Sequence, residues 1–164
     1  MNKQEKKMIA LVGVILAVLV AATVAVFVMK QNDNGFVPPA FDSTAVSGYP
    51  TVTDQYAQYQ NIRVNEDFAF SMCLCPMYSD GKAEIYFAAA GDNNVYTLVK
   101  LYDQDGDLIG ESGLVKPGEY VQSIGVSIVP TEYTDITARV LSYEPETYYS
   151  KGTASGKLSL RTAD

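Results

Sequence analysis

Two hydrophobic patterns divide this chain. From Met8 to Met29 (residues 8–29), 22 consecutive residues carry no charged side chain, enough to cross the hydrocarbon core of a bilayer as one helix, for which ~20 apolar residues are needed. From about residue 61 the period changes to two, the mark of strands with a buried face. In residues 67–75, Phe68, Phe70, Met72 and Leu74 fall on one side, with Ala69, Ser71 and Cys73 on the other. Residues 83–90 set Ile85, Phe87 and Ala89 against Glu84 and Tyr86, and residues 95–103 set Val95, Val99 and Leu101 against Tyr96, Lys100 and Tyr102. Further strands are expected at 108–111, 120–128, 135–143 and 154–161.

Turn residues punctuate these runs: Asp80-Gly81, Asp92-Asn93-Asn94, Asp105-Gly106, Pro117-Gly118, Val129-Pro130 and Glu144-Pro145. Asp105-Gly106 suits the positive φ angles of a tight hairpin. Lys116-Pro117-Gly118-Glu119 fits a type II turn, with proline second and glycine third. About seven short antiparallel strands joined by tight turns predict an all-β ectodomain, an immunoglobulin- or fibronectin-like sandwich. Between the two patterns, residues 30–60 hold Gly35, Pro38, Pro39, Gly48 and Pro50 with little apolar periodicity, and are expected to form an extended linker. The expected organisation is a tail at 1–7, a transmembrane helix at 8–29, the linker at 30–60 and a β-sandwich at 61–164.

Charge sets the orientation of the anchor. Lys3, Lys6 and Lys7 precede the apolar run, offset only by Glu5, and Lys30 follows it; the positive-inside rule then keeps the N-terminus in the cytoplasm and exports the rest. A cleaved signal peptide would have an apolar core of ~7–15 residues ending in small residues, whereas here the nearest candidate, Thr23-Val24-Ala25, lies inside the run. A soluble buried helix is disfavoured by the lack of a polar face. A pilin-type helix would carry a glutamate near its start, and residues 8–29 contain no carboxylate.

Of 12 basic and 19 acidic residues, the first 30 positions hold 4 and 1, leaving the exported part with 8 and 18 and a formal net charge of −10. Such a surface repels nucleic acid and anionic headgroups, so no nucleic-acid partner is expected. All 12 tyrosines lie beyond the apolar run, suiting either strands or contact surfaces.

The chain has no histidine, which removes the commonest general base and the Ser–His and Cys–His nucleophile pairs. No catalytic residue, cofactor or metal site is expected. Cys73 and Cys75 would lie ~6.6 Å apart on one face of a strand, near the upper limit for a disulfide. Packed thiols, a strained or intermolecular disulfide and half of a soft-metal site remain as readings. Asp103-Gln104-Asp105-Gly106-Asp107 resembles the start of a calcium loop, but position 112, where the closing carboxylate belongs, is a serine, and Glu111 falls one short; a plain hairpin turn is favoured. Glu144-Pro145-Glu146, followed by Thr147-Tyr148-Tyr149, gathers acids and tyrosines in one loop, either a binding lip or a solvated connection. Gly110-Glu111-Ser112-Gly113 lacks the spacing of a nucleophile elbow.

Three stretches, PPAFDSTAVSGYPTV, AEIYFAAAGDNNVYTLVKLYDQDGDLIGESGLVKPGEYVQSI and LSYEPETYYSKG, together resemble a family of small N-terminally membrane-anchored β-sandwich surface proteins of Gram-positive gut-type bacteria. The resemblance implies a surface location and a sandwich fold, and supplies no catalytic residues. The expectation is a non-enzymatic, membrane-tethered surface domain that binds a protein or cell-wall component, or forms part of a surface assembly. The alternative is an accessory subunit of an export or conjugation apparatus, whose helix would pack through the small-residue row Gly13, Ala17, Ala21 and Ala25.

Overall fold

Over residues 37–162, which the computed structural model describes, the chain forms twelve strands in two sheets and no helix. The expected span at 8–29 lies outside these residues, and among those described no helix is long and apolar enough to cross a membrane. The strands are β1 (Val46–Ser47), β2 (Tyr59–Arg63), β3 (Ala69–Cys73), β4 (Met77–Ser79), β5 (Lys82–Glu84), β6 (Phe87–Ala89), β7 (Tyr96–Tyr102), β8 (Leu108–Glu111), β9 (Glu119–Val121), β10 (Ile124–Gly125), β11 (Tyr133–Tyr143) and β12 (Ser150–Thr162). The first sheet runs β1-β9-β6-β3-β2 and the second β10-β5-β4-β12-β11-β7-β8. Every pairing is antiparallel except β12 with β4.

The all-β expectation stands, but twelve strands replace about seven, for a local reason. Three segments pass from one sheet to the other: β3 to β4 across Leu74–Pro76, β6 to β5 across Ile85–Tyr86, and β9 to β10 across Gln122–Ser123. The corners are tied together, the Cys73 amide donating to the Ile85 carbonyl at 2.8 Å and the Tyr86 amide to that of Gln122 at 2.9 Å. Tyr86 turns its corner with φ of +48°, a left-handed conformation uncommon outside glycine. The alternation of residues 83–90 survives the corner, since Ile85, Phe87 and Ala89 are all buried; only the direction of the backbone changes.

Phe68, Phe70 and Phe87 meet the aliphatic side chains of β7, β11 and β12 in one continuous core, each burial stabilising by about 1.5–3 kcal/mol. The turns behave as their residues dictate. Asp80 and Gly81, with φ of +49° and +76°, close the β4–β5 hairpin. Glu119 donates to the Lys116 carbonyl at 3.1 Å over Gly118 at φ +73°, the type II turn expected there.

The compact unit begins at Pro39 rather than at residue 61, which corrects the linker expected at 30–60 over its C-terminal part. That part is tied to the fold by hydrogen bonds, by the β1–β9 pairing and by isolated apolar contacts such as Ala45, Ala57 and Phe41, with no hydrophobic period to reveal them. Leu114 donates to the Ala40 carbonyl and Asp42 to that of Leu114, each at 2.9 Å. The Asp42 carboxylate accepts from Thr44 and from the Gly113 amide, both at 2.8 Å. A side chain on Gly113 would sit 2.5 Å from the Asp42 nitrogen, so this close approach requires glycine. Further along, Asp54 pairs with Arg161 near the end of β12.

Candidate functional site

Loops from both sheets line an open cleft of about 460 Å³, formed by Asn65, Asp67, Phe68, Asn94, Val95, Glu144, Pro145, Glu146 and Lys151. Four parts of the chain build it: the β2–β3 loop, the β6–β7 loop, the β11–β12 turn and the start of β12. Only Glu144-Pro145-Glu146 was legible as a lip.

Each wall is fixed locally. In the β11–β12 turn the Tyr148 amide donates to the Glu144 carbonyl at 2.8 Å and the Glu144 amide to that of Tyr149 at 2.9 Å, with Tyr148 at φ +56°. Thr147 Oγ1 donates to Glu144, and Lys151 Nζ lies 3.5 Å from its other oxygen. The Thr147 hydroxyl, helped by the Lys151 charge, holds the Glu144 carboxyl below its ordinary value. Tyr148 stacks 6.2 Å from Tyr96, which meets Phe41 edge-on at 5.1 Å, while Tyr149 stays exposed.

Across the cleft, Asn94 Nδ2 donates to Asp67 at 2.9 Å, and the Asp67 amide donates to Asn65 Oδ1 at 2.9 Å. Beneath them Asn93 is buried and grips the backbone of Ala69 through both ends of its carboxamide. Carboxylate and amide oxygens, amide N–H groups and one ammonium thus face a shared volume. This set accepts and donates hydrogen bonds to a polyhydroxyl or peptide surface. The asparagines are turn formers in the sequence, and Asn65, Asp67 and Asn94 join Glu146 only through the fold.

The remaining candidates resolve as structure. Asp103 Oδ1 accepts from the amides of Asp105 at 3.0 Å and Asp107 at 2.9 Å, and Asp103 donates to the Asp107 carbonyl at 3.0 Å, with Gly106 at φ +88°. The aspartate run is the β7–β8 hairpin turn, and among the described residues no group of three His, Cys, Asp or Glu side chains converges as metal ligands. Ser112 Oγ accepts from the Val99 amide at 3.0 Å and donates to the Gly113 carbonyl at 2.8 Å, so its hydroxyl is occupied in joining β7 to the following loop.

Cys73 and Cys75 are free, buried thiols. They do not share a strand face: Cys73 ends β3, whereas Cys75 lies in the first corner and donates its amide to Ala57 at 2.9 Å. Burial, with smaller contributions from the Glu84 and Cys75 charges, pushes the Cys73 thiol up to about 12, and burial also raises Cys75. In both, burial disfavours the thiolate, which is the nucleophilic form.

Compared with protein-family models and with curated proteins, the chain matches none.

Proposed function

We propose that this chain is a non-enzymatic, membrane-tethered cell-surface domain that uses its loop cleft to bind a protein or wall component. In this reading the run from Met8 to Met29 is an uncleaved signal-anchor helix with the N-terminus in the cytoplasm. The ectodomain is an immunoglobulin- or fibronectin-like sandwich whose strands are subdivided by the three corners. The observation that carries the reading is the loop-built cleft, where Asn65, Asp67 and Asn94 face the Glu144-Pro145-Glu146 lip. Such loop-borne polar sites on a rigid scaffold are where β domains place recognition.

The test uses the full chain in its native membrane, with a photo-cross-linking residue at Glu146. The expected result is a chain digestible by external protease and cross-linked to one protein or to wall glycan, with the cross-link lost in Asp67→Lys. Release of the mature chain into the medium, trimmed of residues 8–29, overturns the tether. Undiminished cross-linking in Asp67→Lys overturns the cleft as the binding surface.

A further inference from the structure

Strand β12 is thirteen residues long. On one side it pairs with β11 from Ser150 to Arg161. On the other side its register with β4 covers only Arg161 and Thr162. The Ser159 and Arg161 amides point that way too, donating to Leu74 and Pro76 at 2.9 and 3.0 Å. By the alternation of an antiparallel ladder, the N–H and C=O groups of Thr153, Ser155 and Lys157 point to the same side; Lys151 is the extra residue where the register with β11 shifts between Ser142 and Tyr143. Among the described residues Thr153, Ser155 and Lys157 find no backbone partner there, and all three are exposed. An unpaired edge of this length is a template for another strand.

Its two faces specify what fits. The core-facing positions between the turn and Leu158 are Gly152, Ala154 and Gly156. They are shallow: a methyl group on Gly156 would have no heavy atom within 4 Å, and one on Gly152 would touch Phe68 at 3.7 Å. A neighbouring strand could therefore lay apolar side chains against this face. The outward positions of the regular part present Lys157, Lys151 is exposed at the register shift, and every charged residue in β12 is a cation. Lys151 is shared with Glu144, while Lys157 has no ion pair among the described residues. A second copy pairing β12 with β12 would set cations beside cations, which is destabilising.

We infer that the free edge of β12 is a strand-addition site for an extended polypeptide segment with apolar residues at alternate positions and a carboxylate set against Lys157. Main-chain hydrogen bonds would supply affinity, and the alternating side chains specificity. The inference rests on the reading of the ectodomain as a binding module and names its partner's chemistry.

The test measures backbone amide exchange in the full chain, in detergent, with a synthetic peptide Glu-Val-Thr-Val-Thr-Val-Glu blocked at both ends. A second peptide with lysine for both glutamates is the control, and the Val140 amide serves as a reference for the intact fold. The glutamate peptide is expected to slow exchange at Thr153, Ser155 and Lys157 by about tenfold or more, and the lysine peptide to leave it unchanged. The variant Lys157→Glu should exchange these preferences, and Ser155→Pro should bind neither peptide. Equal protection by both peptides, or none by either, overturns the inference. So does protection present before peptide is added, whether it rises with protein concentration (a second copy) or not (the chain's own segment). A chain indifferent to the peptides that still cross-links through Glu146 on cells loses this inference alone, and the binding reading stands.

Discussion

The carboxamide of Asn93 occupies the place of a neighbouring strand beside Ala69, accepting from its amide and donating to its carbonyl, both at 2.8 Å. The contact locks the β6–β7 loop to the first residue of β3, and so holds Asn94 and Val95 in the cleft wall. Asn93→Ala would strand the Ala69 amide away from water, while the Ala69 carbonyl keeps the Ala90 amide at 3.1 Å, and is expected to cost about 1–3 kcal/mol, read as a lower denaturation midpoint of the full chain in detergent. Asn93→Asp, which keeps the acceptor and loses the donor, should fall between Asn93→Ala and the native chain.

The Asp54–Arg161 pair is asymmetric. The Arg161 side chain is 13% exposed against 24% for Asp54, and its Nε has no partner among the described residues. Removing Asp54 leaves the more deeply buried charge uncompensated. Asp54→Ala should therefore destabilise by about 2–4 kcal/mol and Arg161→Met by less, with the double variant recovering part of the loss; denaturant titration of the three variants checks the order.

Asp42 predicts an acid limit for the strap that begins the domain. Burial pushes its carboxyl up, but the hydrogen bonds from the Thr44 hydroxyl and the Gly113 and Thr44 amides outweigh this and leave it below its ordinary value of 3.8. A carboxyl depressed on folding contributes its full stability above the unfolded pKa and loses it as pH falls through the folded value. Proteolysis within residues 39–44 should therefore accelerate once pH drops below about 3.8. In Asp42→Asn the acid-dependent step should vanish, with the strap looser at every pH.

The two thiols should be silent in the native protein. At pH 7 a thiol reagent is expected to modify neither Cys73 nor Cys75 until denaturant is added, when both react. Cys73→Ser should destabilise by about 1–3 kcal/mol, because the hydroxyl would be buried in a site chosen by an apolar sulfur. Rapid native labelling at neutral pH would contradict the buried placement.

Much of the sheet architecture was legible because it follows from short-range chemistry. Pro117-Gly118 imposes its backbone angles whatever surrounds it, and the alternation through β7 and β11 records which side faces the core. At Asp105-Gly106 only the glycine takes a positive φ, because the Asp103 carboxylate shapes a longer turn than the tight hairpin expected. The corners were not legible, since Ile85 and Phe87 keep their phase while the strand changes sheets at Tyr86, and no residue type announces that bend. Residues 39–60 misled for the opposite reason: Asp42 and Asp54 fasten them through single polar contacts to Gly113 and Arg161, 71 and 107 positions away. Of the cleft, Glu144-Pro145-Glu146 showed itself as a loop of acids and tyrosines. Asn65, Asp67 and Asn94 could not, because amide and carboxylate residues at turns serve structure as often as recognition.

The shared corners have a mechanical meaning. Because β3–β4, β5–β6 and β9–β10 each belong to both layers, the layers cannot peel apart like two leaves held only by grease between them. Heat or load should release them in one concerted event, with no half-open state for a protease to enter.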